Sequence, residues 1–519
     1  MAVALASLGI RMIGVAVILS LIWRVLNWVW FRPKRIEKQL REQGLKGNPY
    51  RFLFGDEKEV SRMLQEVKSK PINIDDDIGP RMQPYQYKTV NKYGTKNVFI
   101  WMGPTPEVLL LKPEHIKEIF NKYADFPKVT RNPLVKYLFS GIALSEGEKW
   151  AKHKRIINPA FHVEKLKLML PAMHQCGDEL IMKWHKIGSD KKSFELDVWP
   201  YLNDCTGDVI SRTAFGSSVE AGRRIFELLN ELKDHTVTLM HSYYIPGMRF
   251  LPTKTNQRVN AIEREVHELV RAIIRIREKA KKEGEATRND LLGLLLESNY
   301  NEMQQEGKSE KHGLSINDVV DECKLFYSAG QESVAFLLNW TLVLLSRYPE
   351  WQKRAREEVR EVFGNKKPTY DELNRLKVVT MILHETLRLY PPSSWLSRAI
   401  PQETKLGDLT LPAKSEVWIS LLMLQRDPEL WGPDAKEFNP ERFSEGLLKA
   451  TQGRVSFIPF GWGPRICIGQ HYALQEAKLF MCLMLQNFSF ELSPSYVHAP
   501  YMVIGITPQY GTKLIIQKL

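Results

Sequence analysis

Cysteine is scarce in this chain. Its five copies, Cys176, Cys205, Cys323, Cys467 and Cys482, are odd in number, far apart and never arranged as Cys-x-x-Cys. That excludes a disulfide framework and a clustered zinc site, and it fits reduced thiols facing the cytosol. A basic arm interleaved with aromatics is missing too, although the formal net charge is +13. Lysines and arginines instead run beside acids, as in "KRAREEVREVFGNKK". This is the pattern of a solvated helix face. It argues against nucleic acid as a partner and leaves a negative membrane surface or an acidic protein. No internal repeat or low-complexity tract occurs, and only the N-terminus carries an apolar run of about 20 residues, the length that crosses a bilayer.

From Ala2 to Phe31 that run is broken only by Arg11, Arg24, Asn27 and a few serines. Trp23, Trp28 and Trp30 suit an interfacial belt, and "RPKRIEKQLR" follows as a basic flank that keeps the downstream body cytosolic. No small-x-small cleavage site follows, which favours an uncleaved anchor over a signal peptide. The expected organisation is an anchor over 1–31, a basic linker over 32–50 and one folded body over 51–519. With 44% hydrophobic and 26% charged residues, that body can bury a large core. Helical spacing of apolar residues runs through "EREVHELVRAIIRIREKAKKEG", "DVVDECKLFYSAGQESVAFLLNWTLVLLSRY" and "HYALQEAKLFMCLMLQNF". Strand-like pieces such as "KNVFIWMG", "EVWISLLML" and "TKLIIQKL" are few and short. The predicted class is mainly α with small β-sheets. Charged connectors at "KKEGEATRND" and "NEMQQEGKSEKHG" read as surface loops.

Only Cys467 has surroundings that ask for chemistry. In "PFGWGPRICIGQ", Gly461, Gly463 and Gly469 permit turns and close approach, and an amphipathic helix follows. A helix N-terminus favours thiolate over thiol. Such a thiolate, with Phe460 and Ile466 as apolar neighbours, can donate to one axial position of haem iron, with Arg465 near enough for an anionic propionate. Two lookalikes fail. Ile466 stands where a dinucleotide loop needs its third glycine, and Arg388 stands where a His-Glu-x-x-His zinc motif, starting at His384, needs its second histidine.

The stretch "FGWGPRICIG" is similar to the cytochrome P-450 haem loop, F-x-x-G-x-R-x-C-x-G, at every defined position. Three further stretches carry the resemblance. "HETLRLYPP" resembles the family's E-x-x-R motif through Glu385 and Arg388, with Arg442 of "FNPERF" as third member of a buried network that serves folding and haem retention. "SAGQESVAFLLNW", on a helix expected over 317–346, resembles the oxygen-binding motif. There Ala329 and Gly330 would form a groove for dioxygen, and Glu332 and Ser333 would deliver protons. "GEKWAKHKRIINPAFH" is similar to W-x-x-x-R, so Trp150 with Lys154 or Arg155 would support a haem propionate.

The chain departs from the family at Ser333, where threonine is usual, at Val334, at Ser328, where an aromatic is usual, and at Lys154, a point charge in place of a bidentate arginine. More narrowly, "FRPKRIEKQLREQGLKGNPYRFLFGD", "INPAFHVEKLKLMLPA" and "LSPSYVHAP" resemble the plant group with secologanin synthase, deoxyloganic acid hydroxylases and triterpene oxidases. The resemblance implies the cytochrome P-450 fold, thiolate-ligated haem b, and dioxygen and NADPH as co-substrates through an NADPH–cytochrome reductase. It also implies the endoplasmic reticulum membrane and oxygen insertion into a terpenoid-derived substrate. Positions near Phe326 to Ala329, Trp395, Leu396, Val503 and Ile504 would line the pocket, under a roof at "HSYYIPGMRFLP". Oxidative carbon–carbon cleavage, a catalytically silent haem binder and a haem-free membrane protein are the other readings.

Overall fold

The apolar N-terminus forms α1 (Ala2–Leu26), which continues through a π-helical turn (Asn27–Phe31) directly into α2 (Arg32–Glu42). The structure, a computed structural model, describes residues 2–129, 139–216, 219–240, 250–283, 290–304 and 313–519. Among these residues one helix, beginning in α1, is long and apolar enough to cross a membrane, and almost none of its apolar window is buried. The expected linker over 32–50 therefore starts as helix. Its basic composition conceals Pro33, Ile36 and Leu40 at spacings of three and four, and these bury one face of α2 while Arg35, Lys38 and Arg41 stay exposed. Glu37, buried on the same face, is held by Lys34 at 3.0 Å and Arg41 at 2.9 Å.

The chain divides into two compact units. The first comprises Met1–Lys70, Asp77–Val129 and Trp395–Ser420. Its sheet has the order β1 (Phe99–Met102), β2 (Thr105–Leu109), β7 (Glu416–Ser420), β4 (Trp395–Ala399), and a hairpin of β5 (Thr404–Leu406) and β6 (Leu409–Leu411) stands beside it. The β2–β7 pair is parallel, with Val108 opposite Val417, so strands far apart in sequence share this core.

The second unit comprises Pro71–Asp76, Thr130–Ser394 and Leu421–Leu519 and is mostly helical. The elements that matter here are α3 (Gly141–Leu144), α4 (Gly147–Ile157), α5 (Val163–Ile187), α6 (Val198–Phe215), α7 (Val219–Met240), α8 (Lys254–Lys282), α9 (Ile316–Arg347), α10 (Val378–Leu389) and α11 (Gln470–Asn487). A three-stranded antiparallel sheet, β3 (Ser193–Asp197), β11 (Lys513–Lys518), β8 (Phe488–Leu492), closes one side. Leu514 and Ile516 alternate inward there against Leu196, Phe194, Leu492 and Phe490. The turn between β9 (Pro500–Met502) and β10 (Ile506–Pro508) carries Val503 and Ile504.

Helix α9 is the axis of this unit. Ser315 and Asp318 start it with a reciprocal capping box. Its 32 residues reach about 48 Å at the ordinary rise. From Val334 to Leu345 every residue is buried, the signature of a helix enclosed on all sides. Parts of the two charged connectors, and residues 241–249 of the expected roof, lie outside the described residues. Of the remainder, Phe250 and Leu251 are exposed.

Candidate active site

Four of the five thiols, Cys176, Cys205, Cys323 and Cys482, are buried, and burial raises the pKa of each, that of Cys176 to about 12. Those are packing residues. Cys467 alone is exposed. Its loop is built by backbone geometry: Gly461 (φ +76°) and Gly463 (φ +70°) occupy the left-handed region that favours glycine. The Cys467 N–H donates to the Phe460 carbonyl at 2.8 Å, and Gly463–Arg465 forms a single 3-10 turn. Gly469 then caps α11, so the thiol stands just ahead of a helix N-terminus. A side chain at Gly469 would place its Cβ 4.0 Å from the Cys467 sulfur.

Arg465 is tied down in part by Ser145 and Glu146, which sequence spacing did not disclose. Arg465 lies over the Trp150 ring at 4.7 Å, donates to the Ser145 carbonyl at 2.9 Å and pairs with the Glu146 carboxylate. Lys154 also lies over the Trp150 ring, at 5.2 Å, and donates to the Pro464 carbonyl at 2.6 Å. Arg155 is not brought to the loop; it pairs with Glu302 at 3.0 Å. The α4 helix thus offers Trp150 and Lys154 to the cysteine loop and turns Arg155 away, because one helical step of 100° separates neighbours.

The Glu385–Arg388–Arg442 network is assembled. Arg388 grips Glu385 with two bonds of 2.7 Å, both side chains fully buried, and Arg442 reaches the same carboxylate at 3.4 Å. The other guanidinium bonds run mostly to backbone: Arg388 to the carbonyls of Gln425, Ala435 and Glu437, Arg442 to those of Trp431 and Asp434, and Arg442 also pairs with the Asp434 carboxylate at 2.5 Å. The Asn439 N–H completes the carboxylate's set at 2.9 Å. Apart from the Glu385–Arg388 pair within α10, most bonds of this network run to other chain segments, and a fixed planar fork suits that position better than a flexible ammonium.

On α9 the chemistry-bearing residues form a window in an otherwise covered helix. Between Val319 and Leu345, Ala329 is the one exposed residue, flanked by half-buried Ser328, Gly330, Glu332 and Ser333. Gly330 has a packing reason: a Cβ there would meet Ile210 Cδ1 of α6 at 2.8 Å. Ser333 Oγ donates to the Ala329 carbonyl at 2.8 Å. Glu332 is ion-paired with Lys233 of α7, a partner 99 residues earlier for which the sequence carries no local signal. Phe326 is buried against Phe161, and Ser328 Oγ is buried with no hydrogen-bond partner. Of the other expected pocket positions, Val503 and Ile504 are half-buried in the second unit, and Trp395 and Leu396 are half-buried in β4 of the first.

These features fit a large apolar group held through sulfur. One thiol is left accessible beside a helix N-terminus, a glycine loop keeps side chains away from it, and the central helix opens an exposed small-residue window.

Residues 76–509 match the protein-family model described as Cytochrome P450. Curated relatives match along almost their whole length. "Cytochrome P450 CYP72A219" of Panax ginseng is 54% identical over 98% of both chains. "Cytochrome P450 72A15" of Arabidopsis thaliana is 53% identical over 100% of both. "Secologanin synthase 1" of Catharanthus roseus is 50% identical over 97% of this chain and 96% of its own. Among solved structures, "Retinoic acid bound cyanobacterial CYP120A1" has the same fold, with a TM-score of 0.71 at 21% identity, over 85% of this chain and 94% of that one.

Proposed function

This chain belongs to the cytochrome P450 family and is a monooxygenase, and from that premise we propose that it oxidises a terpenoid-derived substrate at the endoplasmic reticulum membrane, with electrons from NADPH delivered by a flavoprotein reductase. The observation that carries the substrate class is the full-length similarity to secologanin synthase, at 50% identity. The unburied apolar N-terminal helix supports the membrane assignment.

Haem b, when bound, supplies the activation of dioxygen that a polypeptide lacks. Cys467 would hold its iron through Sγ. Phe460, Gly461, Gly463 and Gly469 keep the approach to that sulfur open, and Arg465, Trp150 and Lys154 would present positive charge and an indole N–H to the group's carboxylates. Arg155, committed to Glu302, holds α4 in place instead. The window at Ala329 and Gly330 would give oxygen a path free of large side chains. Ser333 Oγ rests on the Ala329 carbonyl, so its hydrogen must rotate away before it can serve a reacting oxygen. Glu332 must likewise exchange Lys233 for water or substrate before it relays a proton. Phe326 and Val334, on either side of the window along α9, are buried.

The test is turnover in microsomes with a plant reductase and NADPH. Substrates would be iridoid acids and their glucosides, oleanane and ursane triterpenes, and diterpene acids. A product one oxygen heavier than its substrate is the expected result. A product with a broken ring bond and no added oxygen would replace hydroxylation by oxidative cleavage. Loaded protein that turns none of the panel over while making peroxide would overturn the terpenoid reading.

A further inference from the structure

Two buried titratable groups take no part in the chemistry above. His153 of α4 and Glu322 of α9 are both fully buried, and His153 Nδ1 contacts Glu322 Oε1. The same carboxyl accepts a hydrogen bond from the Ile142 backbone N–H. Gly141 (φ +58°) runs against it so closely that a Cβ there would lie 2.6 Å from the carboxyl carbon. One carboxyl of the central helix therefore grips both ends of the segment from Gly141 to His153.

That segment is also what holds the cysteine loop. The Ser145 carbonyl and the Glu146 carboxylate take Arg465, the Trp150 ring lies beneath its guanidinium, and Lys154, next to His153, takes the Pro464 carbonyl. We infer that the His153–Glu322 pair is a positioning clamp: it fixes the segment that carries these four contacts and thereby governs how firmly Cys467 is kept in its ligating form. Neither residue touches the reacting atoms.

The electrostatic surroundings agree. Burial raises the Glu322 carboxyl above its ordinary range, with the His153 contact opposing it and Asp321 adding to the rise. Asp318 Oδ1 stands 3.6 Å from His153 Nε2, and Lys149 engages that aspartate at 2.8 Å. A hydrogen-bonded pair buried at this depth is costly to leave half-made.

The experiment needs no substrate, so it stands or falls apart from the terpenoid reading. Full-length protein in detergent would be prepared as wild type, His153→Leu, His153→Asn and His153→Gln. The readout is how long the reduced, carbon monoxide-treated protein keeps its thiolate-type spectrum, with Tm measured in parallel. Asparagine sets an amide donor near the place of Nδ1; glutamine sets it near Nε2, away from Glu322. His153→Leu and His153→Gln are expected to lose the thiolate-type signal about tenfold faster, the scale of lost support for a ligand set, and His153→Asn to retain it. Retention in His153→Leu equal to wild type would overturn the clamp, as would equal loss in the Asn and Gln variants. Should the leucine variant fail to fold, the Asn–Gln comparison decides alone.

Discussion

His384 stands beside Glu385 on α10 and does different work. Its ring packs against Phe443 and Phe457 at 5.4 and 5.8 Å. Burial, with Lys478 nearby, lowers its pKa from 6.5 to about 4. Because the folded pKa lies below the unfolded one, the unfolded chain binds more protons between those two values. This histidine's contribution is complete above pH 6.5 and is lost as the pH falls toward about 4. A shift of this size corresponds to roughly 3 kcal/mol. His384→Phe is expected to flatten the dependence of unfolding free energy on pH across that window, measured by urea titration. Ser333 makes a second residue-scale prediction. Ser333→Ala should raise the share of NADPH electrons lost to peroxide, and Ser333→Thr, with a methyl that restrains the rotamer, should lower it. Unchanged peroxide yield in both would remove Ser333 from the proton path.

At the scale of elements, the contact of α6 with α9 passes through Gly330. An alanine gains helix propensity of about 1 kcal/mol but overpacks Ile210, a cost of about 1–3 kcal/mol. Gly330→Ala is expected to be destabilising, and Gly330→Ala with Ile210→Val to recover most of the loss in thermal unfolding. Without that recovery, close helix approach is not what the glycine serves. The junction of α10 with the 3-10 turn at Arg442 depends on one carboxylate. Arg388→Lys cannot satisfy Glu385 and three carbonyls together, and breaking a buried pair costs about 3–5 kcal/mol. Its signature would be loss of bound haem on mild heating, before the far-ultraviolet helical signal falls.

On the scale of the molecule, the position at which the apolar N-terminal run ends has a practical consequence. The basic stretch after Phe31 was legible as a membrane flank, but its burial was not: Ile36 and Leu40 are core residues of the first unit. A truncation of residues 2–31 is expected to leave the thiolate-type spectrum intact and to free the protein from membranes washed with high salt. A truncation of 2–42 should lower Tm as well, since it removes a buried helix face. If both truncations behave alike, α2 contributes nothing to the fold.

The sequence by itself determined the apolar N-terminal helix, the mainly helical class, the unusual standing of Cys467 and the four motif stretches. Each of these is local: a run of apolar residues, a period of 3.6, a glycine pattern around one thiol. The tertiary structure decided what each charged side chain holds. Glu385 with Arg388 could have been an ordinary surface pair, and burial made it a node joining distant segments. Lys233 for Glu332, Glu146 for Arg465, Glu302 for Arg155 and Glu322 for His153 are partners brought together by tertiary packing. A charge taken out of water must find an opposite charge or a carbonyl wherever the fold supplies one. That choice depends on which helices meet, and no spacing along one helix encodes it.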